Sequence, residues 1–190
     1  MSASEIAVNS KGQSVQRPGF TYDCLQRGLD ASFWKTIAAT VSVATNKIRL
    51  ASGGNICSYT QFKYGIFRFA LNVPTTPSAG EAKKWGLLLP ASPTIGSMYF
   101  EIAGAVFKCI SYDEDGNAQS TTATWSGQAA ETIFEIEWEK DYVIFKLAGT
   151  VIATHKTRVG NISLPLYLIN SDADNTDLGY ITIKENATYV

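Results

Sequence analysis

The sequence lacks an excess of charge of either sign and has no long apolar run. It holds 16 basic and 17 acidic residues, and the basic residues are scattered along the chain. Neutralising phosphates requires a concentrated basic surface, so we expect no nucleic-acid partner. No apolar stretch approaches the roughly 18 to 20 residues that span a bilayer, so we expect no membrane partner.

The N-terminus lacks the basic start and the apolar core of a secretory signal peptide. We therefore expect the chain to be made in the cytoplasm and to reach a virion or an extracellular surface by a route that uses no signal peptide. Residues 1–18 are polar, and we interpret them as an extended arm. Chain ends of this composition are ordered mainly when something holds them, such as a neighbouring subunit.

Cysteine and histidine are also scarce. The three cysteines, Cys24, Cys57 and Cys109, show no paired spacing. Buried free thiols are the simplest interpretation, and one disulfide with one free thiol is the alternative. The single histidine, His155, lies in a strand-like segment without a nucleophile motif, so neither a catalytic triad nor a zinc site is expected.

Hydrophobic residues recur with a period of two from Phe33 onward. In the segment Ile133–Trp138, apolar side chains alternate with glutamates, as in a strand with one buried face. Turn signals recur roughly every 8–12 residues, which is typical of sandwiches and barrels. We predict an all-β fold of about a dozen strands, a two-sheet antiparallel jelly-roll sandwich over residues 19–190, with Trp34 and Trp138 in its core.

Three local patterns, in their order and spacing, resemble the concanavalin A-like lectin and glucanase superfamily, particularly its laminarinase-type glycoside hydrolases. They are Phe33-Trp34 followed by Lys47–Leu50, the strand from Tyr64 to Phe69, and the pair formed by Phe134–Trp138 and Val143–Val151. The resemblance spans roughly residues 30–185. It implies a concanavalin A-like sandwich whose ligand is a carbohydrate.

The resemblance also implies where catalytic carboxylates would lie. The hydrolases carry two glutamates and an aspartate on one strand, and a retaining glycosidase needs two carboxyl groups roughly 5–5.5 Å apart. The corresponding stretch here runs from Tyr99 to Phe107. Glu101 matches the first carboxylate, but Ala103 and Ala105-Val106 stand at the other positions. We therefore expect a non-catalytic member that is not an enzyme.

Sugar binding needs flat aromatic faces that stack on pyranose rings, beside polar groups that bond the hydroxyls. The residues predicted near a carbohydrate-binding concave face are Arg68, Trp85, Tyr99, Glu101 and Trp125. Trp125 is expected to be the most exposed aromatic, because its neighbours are small and polar. Core packing is the competing interpretation for each aromatic residue.

Oxygen ligands gather before the last predicted strand, at Asp172, Asp174, Asn175 and Asp177. Carboxylate and amide oxygens suit calcium, and lectin-like sandwiches often hold calcium in loops. Calcium is therefore the candidate cofactor, and a solvated acidic loop is the alternative.

Together these expectations describe a structural or adhesive module on the surface of a virus or phage particle, as a capsid decoration or fibre protein with a lectin-like face. Its partners would be neighbouring subunits, contacted through the arm, and surface glycans. A soluble carbohydrate-binding domain is one alternative. Another is a laminarinase-type hydrolase whose carboxylates are displaced to Glu135, Glu137 and Glu139.

Overall fold

The computed structural model describes residues 20–23, 29–36, 38–73, 77, 80–125 and 128–184. Within these ranges all regular structure is β-strand, and no helix has the length and hydropathy of a bilayer-spanning segment. The arm predicted at residues 1–18 lies outside the described residues. The predicted contact with neighbouring subunits, and the location on a particle, therefore stay predictions.

One antiparallel sheet has eight strands. They are β1 (Phe20–Asp23), β3 (Val41–Ala44), β4 (Lys47–Leu50), β6 (Gly65–Val73), β11 (Gln128–Trp138), β12 (Val143–Leu147), β13 (Thr150–His155) and β15 (Thr176–Lys184). The spatial order is β13-β12-β11-β6-β15-β4-β3, and β1 also pairs with β15.

The second antiparallel sheet has seven strands. They are β2 (Trp34–Thr36), β5 (Gly54–Phe62), β7 (Ala82–Leu87), β8 (Met98–Ala103), β9 (Val106–Tyr112), β10 (Ala118–Ala123) and β14 (Leu164–Asn170). Their order is β10-β9-β8-β7-β14-β5-β2. The predicted two-sheet jelly-roll sandwich is confirmed.

An aromatic cluster joins the two sheets. Trp85, Phe100 and Phe107 come from the seven-stranded sheet and meet Phe134 and Phe145 of the eight-stranded sheet, all of them buried. The rings of Trp85 and Phe134 lie 4.7 Å apart, and those of Phe100 and Phe145 lie 5.2 Å apart. Burying one such side chain contributes about 1.5–3 kcal/mol, so this cluster supplies a large part of the adhesion between the sheets. Trp34 and Trp138 are buried in the same core, as predicted.

Two of the three cysteines can be placed. Cys57 and Cys109 are free and buried, which confirms the simplest interpretation for this pair, and Cys24 lies outside the described residues. Burial raises the pKa of the Cys109 thiol to about 12. A thiol with so high a pKa is poorly nucleophilic, so Cys109 acts as a small apolar core residue.

His155 lies at one edge of the sandwich, between the two sheets. It is fully buried at the end of β13, and its Nδ1 lies 2.8 Å from Ser111 Oγ of β9. Its Nε2 lies 3.0 Å from Thr121 Oγ1 of the edge strand β10. Burial lowers the pKa of the ring to about 4, so His155 is neutral near pH 7 and links the two sheets through hydrogen bonds.

This arrangement predicts a loss of stability on mild acidification. The unfolded chain takes up a proton on His155 near pH 6.5, whereas the folded chain does so only near pH 4. The free energy of unfolding should therefore fall by about 2–3 kcal/mol between pH 6.5 and pH 4. Urea denaturation at several pH values measures this fall. The His155→Gln variant is the control, and an equally steep fall in that variant would contradict the assignment.

Candidate functional site

Strand alternation on β8 sets the candidate site. Met98, Phe100 and Ile102 point between the sheets and join the core. The alternate residues Tyr99 and Glu101 therefore point away from the eight-stranded sheet. We call this side of the seven-stranded sheet its outer face.

The position of the β8–β9 turn corrects the comparison with the hydrolase strand. β8 ends at Ala103, Gly104 turns the chain with φ of +55°, and Val106 already begins β9. Ala105 and Val106 therefore do not continue the strand that carries Glu101. Their lack of carboxylates cannot show that a catalytic pair has been lost.

Glu101 is the only acidic residue on the seven strands. In the strand register it lies between Lys84 of β7 and Lys108 of β9, and we call these three residues the charged row. The Lys84 ammonium lies 2.9 Å from Glu101 Oε2, and both side chains are half-buried. The charged row thus places one carboxylate between two ammonium groups near the middle of the outer face.

A second, smaller apolar cluster lies on the outer face beside the charged row. Its buried members are Cys57, Leu88, Tyr99, Ile110 and Tyr167. The ring of Tyr99 stacks on that of Tyr112 at 6.3 Å, and Lys84 Nζ lies 5.5 Å from the centre of the Tyr99 ring. Burial, together with the nearby Tyr112 and Glu101, raises the pKa of Tyr99 far above its usual range. Its hydroxyl is therefore protonated at neutral pH and can donate a hydrogen bond.

Gly86 lies between Tyr167 and Tyr99 in the strand register. A Cβ at this position would lie 2.4 Å from the Met98 carbonyl oxygen and 2.6 Å from Tyr99 Cα. Because no such contact is tolerated, glycine is required for β7 and β8 to pair here. Gly86 therefore holds Tyr99 in its place on the outer face.

Sequence reasoning missed two exposed residues at the β2–β5 edge of this face. Lys35 pairs in register with Cys57, whose side chain is on the outer face. Tyr59 is 61% exposed two residues further along β5. Its exposure next to Lys35 suits stacking on a sugar ring. The only sequence signal for these exposed residues was the alternation of inward and outward side chains within Gly54–Phe62. A bulge between β5 and β14 obscures that alternation.

Of the five residues predicted for carbohydrate binding, only Tyr99 and Glu101 lie on the outer face. Trp85 is in the core at 1% exposure, so its predicted placement on a concave face was wrong. Trp125 is partly buried against Phe107 and Phe134, with ring centres 5.8 and 5.4 Å away, and is not the most exposed aromatic. Trp85 belongs to the core because its side chain points between the sheets, and Trp125 packs against the same core from just beyond the end of β10.

Arg68 lies on the opposite side of the sandwich, on the eight-stranded sheet, so its predicted placement was also wrong. Its guanidinium donates to Glu135, which also accepts from Lys146 at 2.7 Å. Burial alone would raise the pKa of Glu135, but these hydrogen bonds outweigh it and lower the pKa. Lys146 also binds Glu137 at 2.8 Å, so two of the three glutamates nominated as displaced carboxylates, Glu135 and Glu137, belong to one ion-pair network.

The four residues predicted to bind calcium make different contacts in the structure. Asp172 lies 2.9 Å from the buried Lys83 ammonium, and Asp177 accepts two hydrogen bonds from Arg49. The Asp174 carbonyl accepts from Asn170, and Asn175 is half-buried nearby. Across the described residues, no three His, Cys, Asp or Glu side chains converge where they could hold a metal ion. The calcium site stays a prediction.

Comparisons with known proteins identify the architecture. No family model matches the chain, and no curated protein matches its sequence. Solved structures do match it. A glycosidic hydrolase shares 12% identity at a TM-score of 0.73, over 93% of this chain and all of the other. A Bacillus licheniformis β-glucanase shares 11% identity at 0.72, over 88% of this chain and 98% of the other. The catalytic domain of a Thermotoga petrophila laminarinase shares 12% identity at 0.72, over 89% and 97%.

The chain has the concanavalin A-like jelly-roll fold. The resemblance stated from the local sequence patterns is thereby confirmed, and the structural neighbours of this jelly roll are carbohydrate-active proteins. The expectation that the chain is not an enzyme is contradicted, because neighbours that cover nearly the whole jelly roll are glycoside hydrolases. At 11 to 12% identity the likeness shows the fold alone.

The close contact at Gly86 predicts a specific loss of stability in the jelly roll. Gly86→Ala should lower the free energy of unfolding by about 2–3 kcal/mol, because the new methyl group overlaps the backbone of β8. Gly104→Ala is the matched control, since open space surrounds that position and only the left-handed backbone costs about 1 kcal/mol. Urea unfolding compares the two variants. Equal losses of unfolding free energy in the two variants would show that the close contact between position 86 and β8 adds nothing to the cost of the substitution.

Proposed function

We propose that the chain is a carbohydrate-active protein that binds a polysaccharide across the outer face of the seven-stranded sheet and acts on its glycosidic bonds. The observation that carries this proposal is the position of Glu101. It is the only carboxylate on the seven strands, it lies between two lysines, and it adjoins the tyrosines of the outer face. The wider context is a fold shared with a β-glucanase and a laminarinase, which favours a β-linked polysaccharide.

The groups on this face suit the two requirements of such a ligand. Tyrosine rings such as Tyr59 and Tyr112 offer apolar surfaces for sugar rings, while Lys84, Lys108 and Glu101 can bond the hydroxyls. The protonated hydroxyl of Tyr99 is hydrogen-bonded to Tyr112, which fixes both rings on this face. The charged row and the tyrosines therefore lie in neighbouring rows of the face that a sugar chain would cross.

The chemistry assigned to Glu101 is stabilisation of charge. In hydrolysis the bond between the anomeric carbon and the glycosidic oxygen breaks. A water molecule then supplies a hydroxyl group to that carbon and a proton to the departing oxygen. Positive charge develops on the sugar ring as the bond breaks. A carboxylate fixed by its ion pair with Lys84 is suited to stabilise that charge without reorganising.

The test is Glu101→Gln, which keeps the shape of the side chain and removes its charge. Release of reducing ends is measured on a panel of neutral β-glucans and of sulfated and carboxylated polysaccharides, and binding is measured by affinity electrophoresis. We expect the variant to lose activity by about 100-fold or more while folding normally.

Glu131→Gln is the matched control, because Glu131 forms an ion pair of the same length, 2.9 Å, with Lys47 on the eight-stranded sheet. It should retain full activity. If the wild-type chain neither binds nor cleaves any member of the panel, the proposal is wrong. Binding without cleavage would overturn the catalytic part and leave the binding part standing.

A further inference from the structure

Charge is distributed very differently over the two sheets. The strands of the eight-stranded sheet hold five acidic and five basic residues. Those of the seven-stranded sheet hold four lysines and one glutamate, although the whole chain has a net charge of -1. Lys83 points inward and pairs with Asp172, so three lysines, Lys35, Lys84 and Lys108, face outward with a single glutamate. The outer face is therefore positive on a slightly acidic protein.

Two of these lysines are not neutralised within the described part of the chain. Glu101 pairs with Lys84, and no described acidic group forms an ion pair with Lys35 or Lys108. Lys35 lies on β2 and Lys108 on β9, five strand spacings apart across the sheet. At about 4.8 Å per spacing they are separated by about 24 Å. Tyr59, Tyr99 and Glu101 are on strands between them, so the two ammonium groups lie on either side of this part of the candidate site.

We propose that the ligand of this face is an anionic polysaccharide, with sulfate or carboxylate groups that bind Lys108 near Glu101 and Lys35 at the far edge. This inference rests on the proposed function and specifies its substrate class. A neutral glucan would leave both ammonium groups without a counter-charge, whereas a negatively charged chain long enough to cross the strands would pair with both. Charge complementarity of this kind gives specificity and speeds association.

The experiment uses one linear β-1,3-glucan in three forms: unsubstituted, sulfated and carboxymethylated. Affinity electrophoresis of the full chain measures the dissociation constant for each form at low and high salt. We expect an anionic form to bind about tenfold more tightly than the neutral form, because each exposed ion pair contributes about threefold. The advantage should shrink as salt rises. The sulfated and carboxymethylated arms distinguish the two kinds of anionic group.

Lys35→Gln should weaken binding of the anionic form by about threefold and leave binding of the neutral form unchanged. Lys108→Gln should weaken binding of the anionic form more than binding of the neutral form, because it removes a charge next to Glu101. Lys140→Gln removes the same charge from an exposed position next to the β11–β12 turn. It should change the binding of neither the anionic nor the neutral form. An equal loss in Lys140→Gln would show that net charge, rather than this face, determines binding.

The remaining outcomes separate this inference from the function on which it rests. Equal affinity for the neutral and the anionic glucans would overturn the inference and leave the proposed function intact. No binding to any polysaccharide would overturn both. A single-stranded oligonucleotide that bound as tightly as the sulfated glucan would show a general polyanion surface, and the assignment to a polysaccharide would then be wrong.

Discussion

The aromatic packing between the sheets determines which side chains remain for function. Phe100 and Phe107 must point inward to meet Phe134 and Phe145, and successive side chains of a strand point to opposite faces. With those inward positions fixed, Glu101 and Lys108 have no alternative but the outer face. A slip of one residue in β8 would bury Glu101 among aromatic rings, where an unpaired carboxylate is very costly. The core therefore enforces the geometry of the candidate site.

The same constraint explains why the two outer faces differ. On the eight-stranded sheet Arg68, Glu135 and Lys146 neutralise one another across adjacent strands, and this network needs no ligand. On the seven-stranded sheet the only acidic residue is already paired with Lys84. Water solvates the remaining lysines at little cost to the folded state. The stability of the fold therefore does not determine where these lysines lie, and their positions can serve ligand binding.

Periodicity predicted the fold well and the site only in part. The period of two in Ile133–Trp138 was enough to predict a sandwich, since each strand buries alternate residues. It shows which residues share a face, but not whether that face meets the other sheet. Trp85 was therefore assigned to the wrong side of β7. Strand β5 was not predicted, because the bulge opposite β14 and the inward Ser58, which accepts a hydrogen bond from Leu166 N, break its alternation.

The structure limits which other side chains of β8 could take a catalytic role beside Glu101. Tyr99 is the nearest ionisable neighbour on β8, and its burial keeps the phenol protonated far above neutral pH. It can therefore donate a hydrogen bond but cannot serve as the base. The turn at Gly104 removes the next residues from the strand, so β8 offers no second carboxylate beyond Glu101. Under the proposed function, Glu101 is therefore the one carboxylate of β8 available to stabilise the charge that develops on the sugar ring.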